Sequence, residues 1–384
     1  MQNSDTPASN AFTMTPTLDF KKPPYLLRRT APTRPDTTTT DPDETFIRDT
    51  QINYRGANTK RRRSKMSRRS DFITIKALSS ARNGGNNQGV YVVKSIRSGN
   101  KYIEKRVRKE HIQVGHGERE ARAMRQCGAK HPNIIALVLC DLNYEFLGYG
   151  SLFMQHCELG SLDGVIGRYN ARGEVLNDEG FLYKILWDIA LALSFLSTGV
   201  DAATTRNLAK AGYIVGKKSG WNQTLHRDLK PGNIFLTWKN PLPTDRCPYP
   251  TAVLGDFGCS VTQWDVRTGN AKWKFHSGVT PDSEPPESPR YHEHGDIYML
   301  GLSIHCLAMM RNRPRSVKKE RERRPLQGFF GDRCLGKLLM LCLECDPEDR
   351  PFPGELPLLV MGCYRKWRAM RRDDGQRLSG WAYA

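Results

Sequence analysis

Along residues 71–154 the apolar positions fall in short alternating runs, and beyond them the spacing turns mostly helical. Asp71-Phe72-Ile73-Thr74-Ile75 opens one extended segment, and Val90 to Val93 and Tyr102 to Val107 continue the pattern. Leu152-Phe153-Met154 is a further apolar strand. Alternation of this kind puts every second side chain on a shared face, as in half-buried strands. Glu118 to Cys127 has the other period: Met124 and Cys127 follow Glu120 at the fourth and seventh places and point into the core. Phe181 to Leu196 is the clearest helix, with Leu182, Ile185, Leu186, Ile189, Leu193 and Leu196 on one face. Leu338 to Leu343 is expected to be a core helix. Two stretches, Ser197 to Trp221 and Trp238 to Pro250, carry Gly and Pro that break either period, and both are expected to be surface loops.

Residues 1 to 70 show neither period. Thr, Pro, Asp and Ser dominate them, which predicts a disordered tail with a basic run from Lys60-Arg61-Arg62-Arg63 through Arg69. The 384 residues suit one two-part domain, 71–362, followed by a basic C-terminal tail at 363–384. The net charge of +19 is uneven, with further clusters at Arg311 to Arg324 and Arg365 to Arg377. The first cluster reads as solvated charge or an import signal; no aromatic residues interleave with it, so no nucleic-acid partner is expected. The first residues lack the apolar run of a signal peptide, and no stretch approaches the roughly 20 apolar residues of a membrane span. No membrane contact is expected, and the expected setting is cytoplasmic or nuclear. In that reducing setting the ten cysteines are free thiols, and Cys342 and Cys345 belong to core packing and not to a zinc site.

Chemistry enters at residues 226–233, His-Arg-Asp-Leu-Lys-Pro-Gly-Asn. An Asp, a Lys two places on and an Asn five places on supply three things within one loop. These are a carboxylate to orient a hydroxyl, an amine for a moving phosphate, and an amide oxygen for Mg²⁺. Gly255-Asp256-Phe257-Gly258 adds a carboxylate for the same hard, oxygen-seeking ion. Pro285-Pro286-Glu287, Asp296-Ile297-Tyr298-Met299-Leu300-Gly301 and Asp346-Pro347-Glu348-Asp349-Arg350-Pro351 follow in order. The ordered set resembles the catalytic segment of eukaryotic serine/threonine protein kinases. The resemblance implies an α+β, bilobal protein-kinase-like fold. A small β-rich N-lobe would span residues 71–154, a hinge 155–159 and a larger helical C-lobe 160–362. It implies ATP and Mg²⁺ as cofactors and proteins as substrates, acidic or phosphorylated ones if the Arg311–Arg324 cluster docks them. Oligomeric state is left open.

By the same resemblance Asp228 is the catalytic base, and Lys230 neutralises the γ-phosphate and favours Ser/Thr over Tyr substrates. Asn233 and Asp256 hold the metal. Tyr102-Ile103-Glu104-Lys105 takes the place of the strand lysine motif, so Lys105 reaches the α- and β-phosphates. Its partner is Glu120, with Glu118 as the alternative. Aligning Val90-Tyr91 on the residues after the phosphate loop puts Asn83, Gly85 and Gln88 on its three glycine positions. Gly84 and Gly89 lie one place away, which predicts a loosened phosphate cover. Met154 gates the adenine pocket, and Gln155 and Cys157 bind the base through backbone groups. Ser161 reaches the ribose, and Phe235 floors the adenine. Within kinases, Gly255, Phe235 and Glu104-Lys105-Arg106 point to the NIMA-related group and its fungal relatives. In the activation segment Arg227 is expected to pair with a phosphate on Ser277 or, second, on Thr268. Ser260 and Thr262 are further hydroxyls there. Thr280 ties the segment to Asp228 and Lys230, and Glu287 pairs with Arg350. Other readings compete. A pseudokinase scaffold is supported by the irregular glycine loop and opposed by the retained Lys105, Asp228, Asn233 and Asp256. A small-molecule phosphotransferase is opposed by Arg227, Lys230 and the Pro-Pro-Glu closure. A nucleic-acid adaptor rests on charge alone.

Overall fold

Strands β1 (Phe72–Ser80), β2 (Asn87–Ser95) and β3 (Lys101–Arg108) follow one another antiparallel, and helices α1 (Lys109–Gln113) and α2 (His116–Cys127) come next. Strands β4 (Leu137–Asp141) and β5 (Tyr149–Gln155) complete a five-stranded sheet in the order β1-β2-β3-β5-β4. The structure is a computed structural model that describes residues 68–80, 87–127, 131–239, 247–271, 283–314, 334–370 and 378–383. The expected N-terminal tail therefore lies outside the described residues but for its last few. Val93, Val107, Leu152 and Phe153 are buried, and α2 buries Ala121, Ala123, Met124 and Cys127. β1, at the sheet edge, leaves Ile73, Ile75 and Leu78 about half exposed.

Beyond the hinge the chain is mainly helical. Helices α3 (Leu162–Arg172), α4 (Glu179–Thr198) and α5 (Ala202–Ala211) are N-capped by Ser161, Asp178 and Asp201. Each side-chain oxygen takes one of the backbone N–H groups that a helix start leaves unpaired. The three helices end on Gly173, Gly199 and Gly212, all left-handed, a conformation that costs any other residue more. Two short ladders follow: β6 (Thr224–Leu225) pairs with β9 (Val261–Thr262), and β7 (Ile234–Thr237) with β8 (Thr251–Leu254). Helices α6 (Gln263–Arg267), α7 (Glu293–Ala308), α8 (Cys334–Cys342) and α9 (Leu356–Ala369) complete the lobe.

Four expectations are corrected. Helix α4 is not one-faced: Phe181, Leu182, Ile185, Leu186, Ile189 and Leu191 are all fully buried, because α7, α9 and β8 pack around it. It is also long and apolar enough to cross a membrane, with a window of mean hydropathy 1.4, contrary to the expectation that no stretch is; 89% of that window is buried inside the fold. The stretch 197–221 is not simply a surface loop. It holds α5, which buries Ala202, Thr205, Arg206 and Ala209. Last, residues 363–384 are not only a basic tail. Helix α9 runs to Ala369 with Cys363 and Trp367 buried, and Leu378, Ala382 and Tyr383 are buried as well. The Arg168 Nε donates to the Ala382 carbonyl at 2.9 Å, and Tyr169 meets the Trp381 ring, so this segment packs on α3.

Candidate active site

The loop 226–233 hangs from a residue far along the chain. Asp296, in the first turn of α7, accepts the backbone N–H groups of His226 and Arg227, both at 2.8 Å. Burial pushes the Asp296 carboxyl up, and the two N–H donors and the His226 and Arg227 side chains work against that shift. The loop itself is buried, and Arg227 adopts the left-handed backbone region at φ 65. The turn delivers Asp228 beside Lys230, whose Nζ lies 3.2 and 2.9 Å from the two carboxylate oxygens. Asn233 donates its Nδ2 to the Asp228 carbonyl at 2.7 Å and to its carboxylate at 3.0 Å. The aspartate is thus fixed by two neighbours on its own loop.

Across the cleft, Lys105 on β3 bonds Glu120 Oε1 and Asp256 Oδ1, both at 2.7 Å. This chooses Glu120 over Glu118. Burial alone would lower the lysine's pKa, but the two carboxylates outweigh it and hold the ammonium above its ordinary value. The same contact pulls Asp256 down to about 2, with Lys105 the largest cause. Glu120 moves the other way, raised by burial against the pull of Lys105. Asp256, at φ 59, is 43% exposed along its side chain, while Phe257 turns inward, fully buried, with its ring edge-on to His226 at 5.0 Å. Met124 is buried in the same core.

The residues expected to face a nucleotide divide. Asn83, Gly84 and Gly85 lie outside the described residues, as do Ser277 and Thr280. Gln88 sits in β2 beside Gly89, at an irregularity where Asn87 pairs Val107 but Val90 pairs Lys105. Gly89 has φ 125, and a Cβ there would fall 2.8 Å from the Tyr91 hydroxyl. Gly89 is thus a position in this strand whose conformation favours glycine, one place along from Gln88. Met154 is buried at the end of β5, Gln155 donates its N–H to the Ala136 carbonyl at 2.9 Å, and Cys157 is buried just beyond. The Ser161 hydroxyl accepts the Gly164 N–H at 3.3 Å, so its acceptor role is taken by the helix cap. Phe235 is half-buried on β7.

Among known proteins, the chain is 30% identical over 240 residues to the G2-specific protein kinase nimA of Emericella nidulans. The match covers 58% of this chain and 31% of that protein. It is 29% identical over 237 residues to the G2-specific protein kinase nim-1 of Neurospora crassa, 58% of this chain and 25% of the relative. With the human serine/threonine-protein kinase Nek2 it shares 28% identity over 184 residues, 47% of this chain and 34% of the relative. Over these stretches the chain is similar to NIMA-type protein kinases. It spans about a quarter to a third of the length of these relatives. No protein-family model matches it. Two of the residues that point to the NIMA-related group explain each other. A Cβ at Gly255 would come within 2.8 Å of the Phe235 ring, so the glycine makes room for that ring.

The activation segment is tied to α2 by residues that sequence reasoning missed. The Arg122 guanidinium pairs with Asp265, which is fully buried, and lies 4.3 Å over the Trp264 ring. Asp265 also caps α6 through Thr262, whose hydroxyl donates to it at 2.6 Å. Arg119 donates to the Asn270 carbonyl at 3.2 Å. No periodicity links α2 to these positions; only the charge complementarity of Arg122 and Asp265 was there to be read. Ser260 and Thr262 are buried, whereas Thr268 is exposed at the end of α6. Arg227 donates its Nε to the Cys259 carbonyl at 2.8 Å, and burial lowers its pKa to about 10. Glu287 meets Arg350 in a two-pronged ion pair, 2.8 Å on each side, with the arginine side chain fully buried.

Proposed function

We propose that this chain transfers the γ-phosphate of ATP to Ser and Thr hydroxyls of proteins. One observation carries the reading: Lys105, bonded to both Glu120 and Asp256, faces a loop in which Asp228 holds Lys230 and Asn233. Such an arrangement has cations where phosphate charge gathers and a carboxylate where a hydroxyl arrives. In the proposed step the hydroxyl oxygen forms a bond to the γ-phosphorus, and the bond to the bridging oxygen of ADP breaks. The hydroxyl proton passes to Asp228, whose main contribution is orientation, since a carboxylate is a weak base. Lys230 neutralises the transferring group, and Lys105 holds the phosphates that remain.

The residues suit Mg²⁺. Asp256 offers a carboxylate with 43% of its side chain exposed, and Asn233, with its NH₂ on Asp228, keeps an amide oxygen as its acceptor. Among the described residues no group of three or more His, Cys, Asp or Glu could hold a metal. That fits an ion that keeps waters and leans on substrate phosphates. When bound, Mg²⁺ supplies charge neutralisation on the phosphates. Acidic or phosphorylated protein substrates and a cytoplasmic or nuclear setting belong to the same proposal. The second is supported by the cysteines, all of them free thiols. Switching by phosphorylation of the activation segment is proposed with Thr268 as its exposed described hydroxyl. The test is incubation with γ-labelled ATP, Mg²⁺ and generic protein substrates, followed by phosphoamino-acid analysis. Label on Ser or Thr is expected; label on Tyr alone, or on small molecules and not on protein, overturns the reading.

A further inference from the structure

The stretch between helix α4 and the loop 226–233 does more than cover surface. Beyond α5 it returns to the end of α4, where the Lys218 N–H donates to the Thr198 carbonyl at 2.9 Å. Trp221 then lies edge-on to Phe195 at 5.1 Å and donates its indole N–H to the Leu196 carbonyl at 3.0 Å. Gly199 faces that ring so closely that a Cβ there would strike it. The next residue, Asn222, is therefore held in a fixed place, just ahead of His226.

Asn222 meets two elements at once. On one side it forms a reciprocal amide pair with Gln126 of α2. Its Nδ2 donates to the Gln126 Oε1 at 2.8 Å, and the Gln126 Nε2 donates to the Asn222 carbonyl. On the other side its Oδ1 accepts the N–H of Trp264, in the first turn of α6, at 2.8 Å. An amide carries a donor and an acceptor on one short side chain, which this double contact requires. Gln223 repeats the link to α6, its carbonyl accepting the Gln263 N–H at 2.8 Å.

The spacing along α2 gives the bridge its consequence. Arg119, Arg122 and Gln126 recur at helical intervals on one side and bond Asn270, Asp265 and Asn222 in turn. Glu120 lies on the adjoining side and bonds Lys105. Rotation of α2 about its axis would carry Glu120 off Lys105, and the three contacts oppose that rotation.

We propose that Asn222 is a positioning residue for phosphoryl transfer: by bridging α2 to α6 it holds Glu120 on Lys105. That role presupposes the proposed reaction, and it gives the stretch 197–221 a task in it, the placing of Asn222.

The test is turnover at saturating ATP and Mg²⁺, measured for Asn222→Ala in two backgrounds. Alone, the substitution should lower turnover about tenfold. In a Glu120→Gln background, where the ion pair is already cut, it should lower turnover no further, because both changes act through one contact. Gln126→Ala cuts the bridge from the other side, leaves 197–223 intact and should reproduce both results. Hydrogen exchange on the full chain reads the bridge without catalysis. Amides of residues 116–127 should exchange about tenfold faster in Asn222→Ala, with those of 181–196 unchanged. Unchanged turnover in both single variants, an equal loss with and without Glu120, or unaltered exchange in α2 overturns the proposal. A wild type that transfers no label instead overturns the proposed function, and the exchange comparison still decides whether the bridge holds α2.

Discussion

The loop 226–233 and the β1–β2 hairpin are held in opposite ways. In the loop, His226, Arg227, Asp228 and Leu229 are buried, and a carboxylate 70 residues along the chain from His226 takes two backbone N–H groups. In the hairpin, β1 is an exposed edge with irregular register between Thr74 and Lys76 and again between Ala77 and Ser79. Its partner β2 bends at one left-handed glycine. Long-range bonds made in the dry interior fix atoms to fractions of an ångström, which reacting groups need. In the proposed function the hairpin would admit and release a nucleotide, which asks for backbone freedom of the kind a glycine supplies. Changes in the first region should therefore act on stability and turnover, and changes in the second on nucleotide affinity.

The largest expected effect comes from Asp296→Ala. It removes two hydrogen bonds to a charged acceptor and should cost about 3–6 kcal/mol in a denaturant titration. A loss below about 1 kcal/mol would break the comparison, because the loop would then be held by something else. Next is Lys105→Met, which should reduce turnover by about a hundredfold or more with the fold intact. Near-normal turnover would mean that β3 carries another phosphate ligand.

His131 sharpens the comparison through pH. It is buried, its ring tilted against Phe195 at 5.0 Å, and its Nδ1 accepts the Asn133 N–H. Burial holds its pKa down to about 3, against 6.5 in the unfolded chain. A neutral buried imidazole contributes its full stability above the unfolded value. Below it the unfolded state takes up the proton, so stability falls by about 1.4 kcal/mol per pH unit until the folded group also titrates. Denaturant midpoints followed from pH 7 to pH 4 should show this slope in the wild type and lose it in His131→Asn. The smallest effect belongs to the hairpin. Gly89→Ala meets both the Tyr91 ring and an unfavourable φ, a strain of about 1–2 kcal/mol, and should raise the KM for ATP while leaving turnover unchanged. Reduced turnover at saturating ATP would show that the hairpin also positions reacting atoms.

Much of the cleft was legible because its chemistry is written in short contiguous runs. Lys230 and Asn233 lie within five residues of Asp228, and the glycines around Asp256 mark it. Glu120 was legible by helical period, since its neighbours Met124 and Cys127 are buried. Helix α5 was hidden because Gly199 and Gly212 read as breakers, when they are the ends of α4 and α5. Strand β4 gave no clean alternation: Val138 is exposed and none of its five residues is fully buried. Trp367 and Tyr383 were masked by the basic composition of residues 363–384, yet both are buried. The Arg122–Asp265 contact joins positions 143 residues apart and exists only once the lobes are folded. The need for glycine at Gly89 was not legible, because residue spacing does not reveal the strand irregularity at which it sits.

One cleft is proposed to hold a working phosphoryl-transfer apparatus built around Asp228. The most direct measurement compares wild type with Asp228→Asn for label transfer from γ-labelled ATP to protein Ser and Thr at saturating Mg²⁺. The amide has about the same shape but cannot take the hydroxyl proton or balance Lys230. Robust transfer by the wild type and a fall of about a hundredfold or more in the variant, at matched thermal stability, is the predicted result. Equal transfer by the two proteins, or none by a folded wild type that binds ATP, would contradict it.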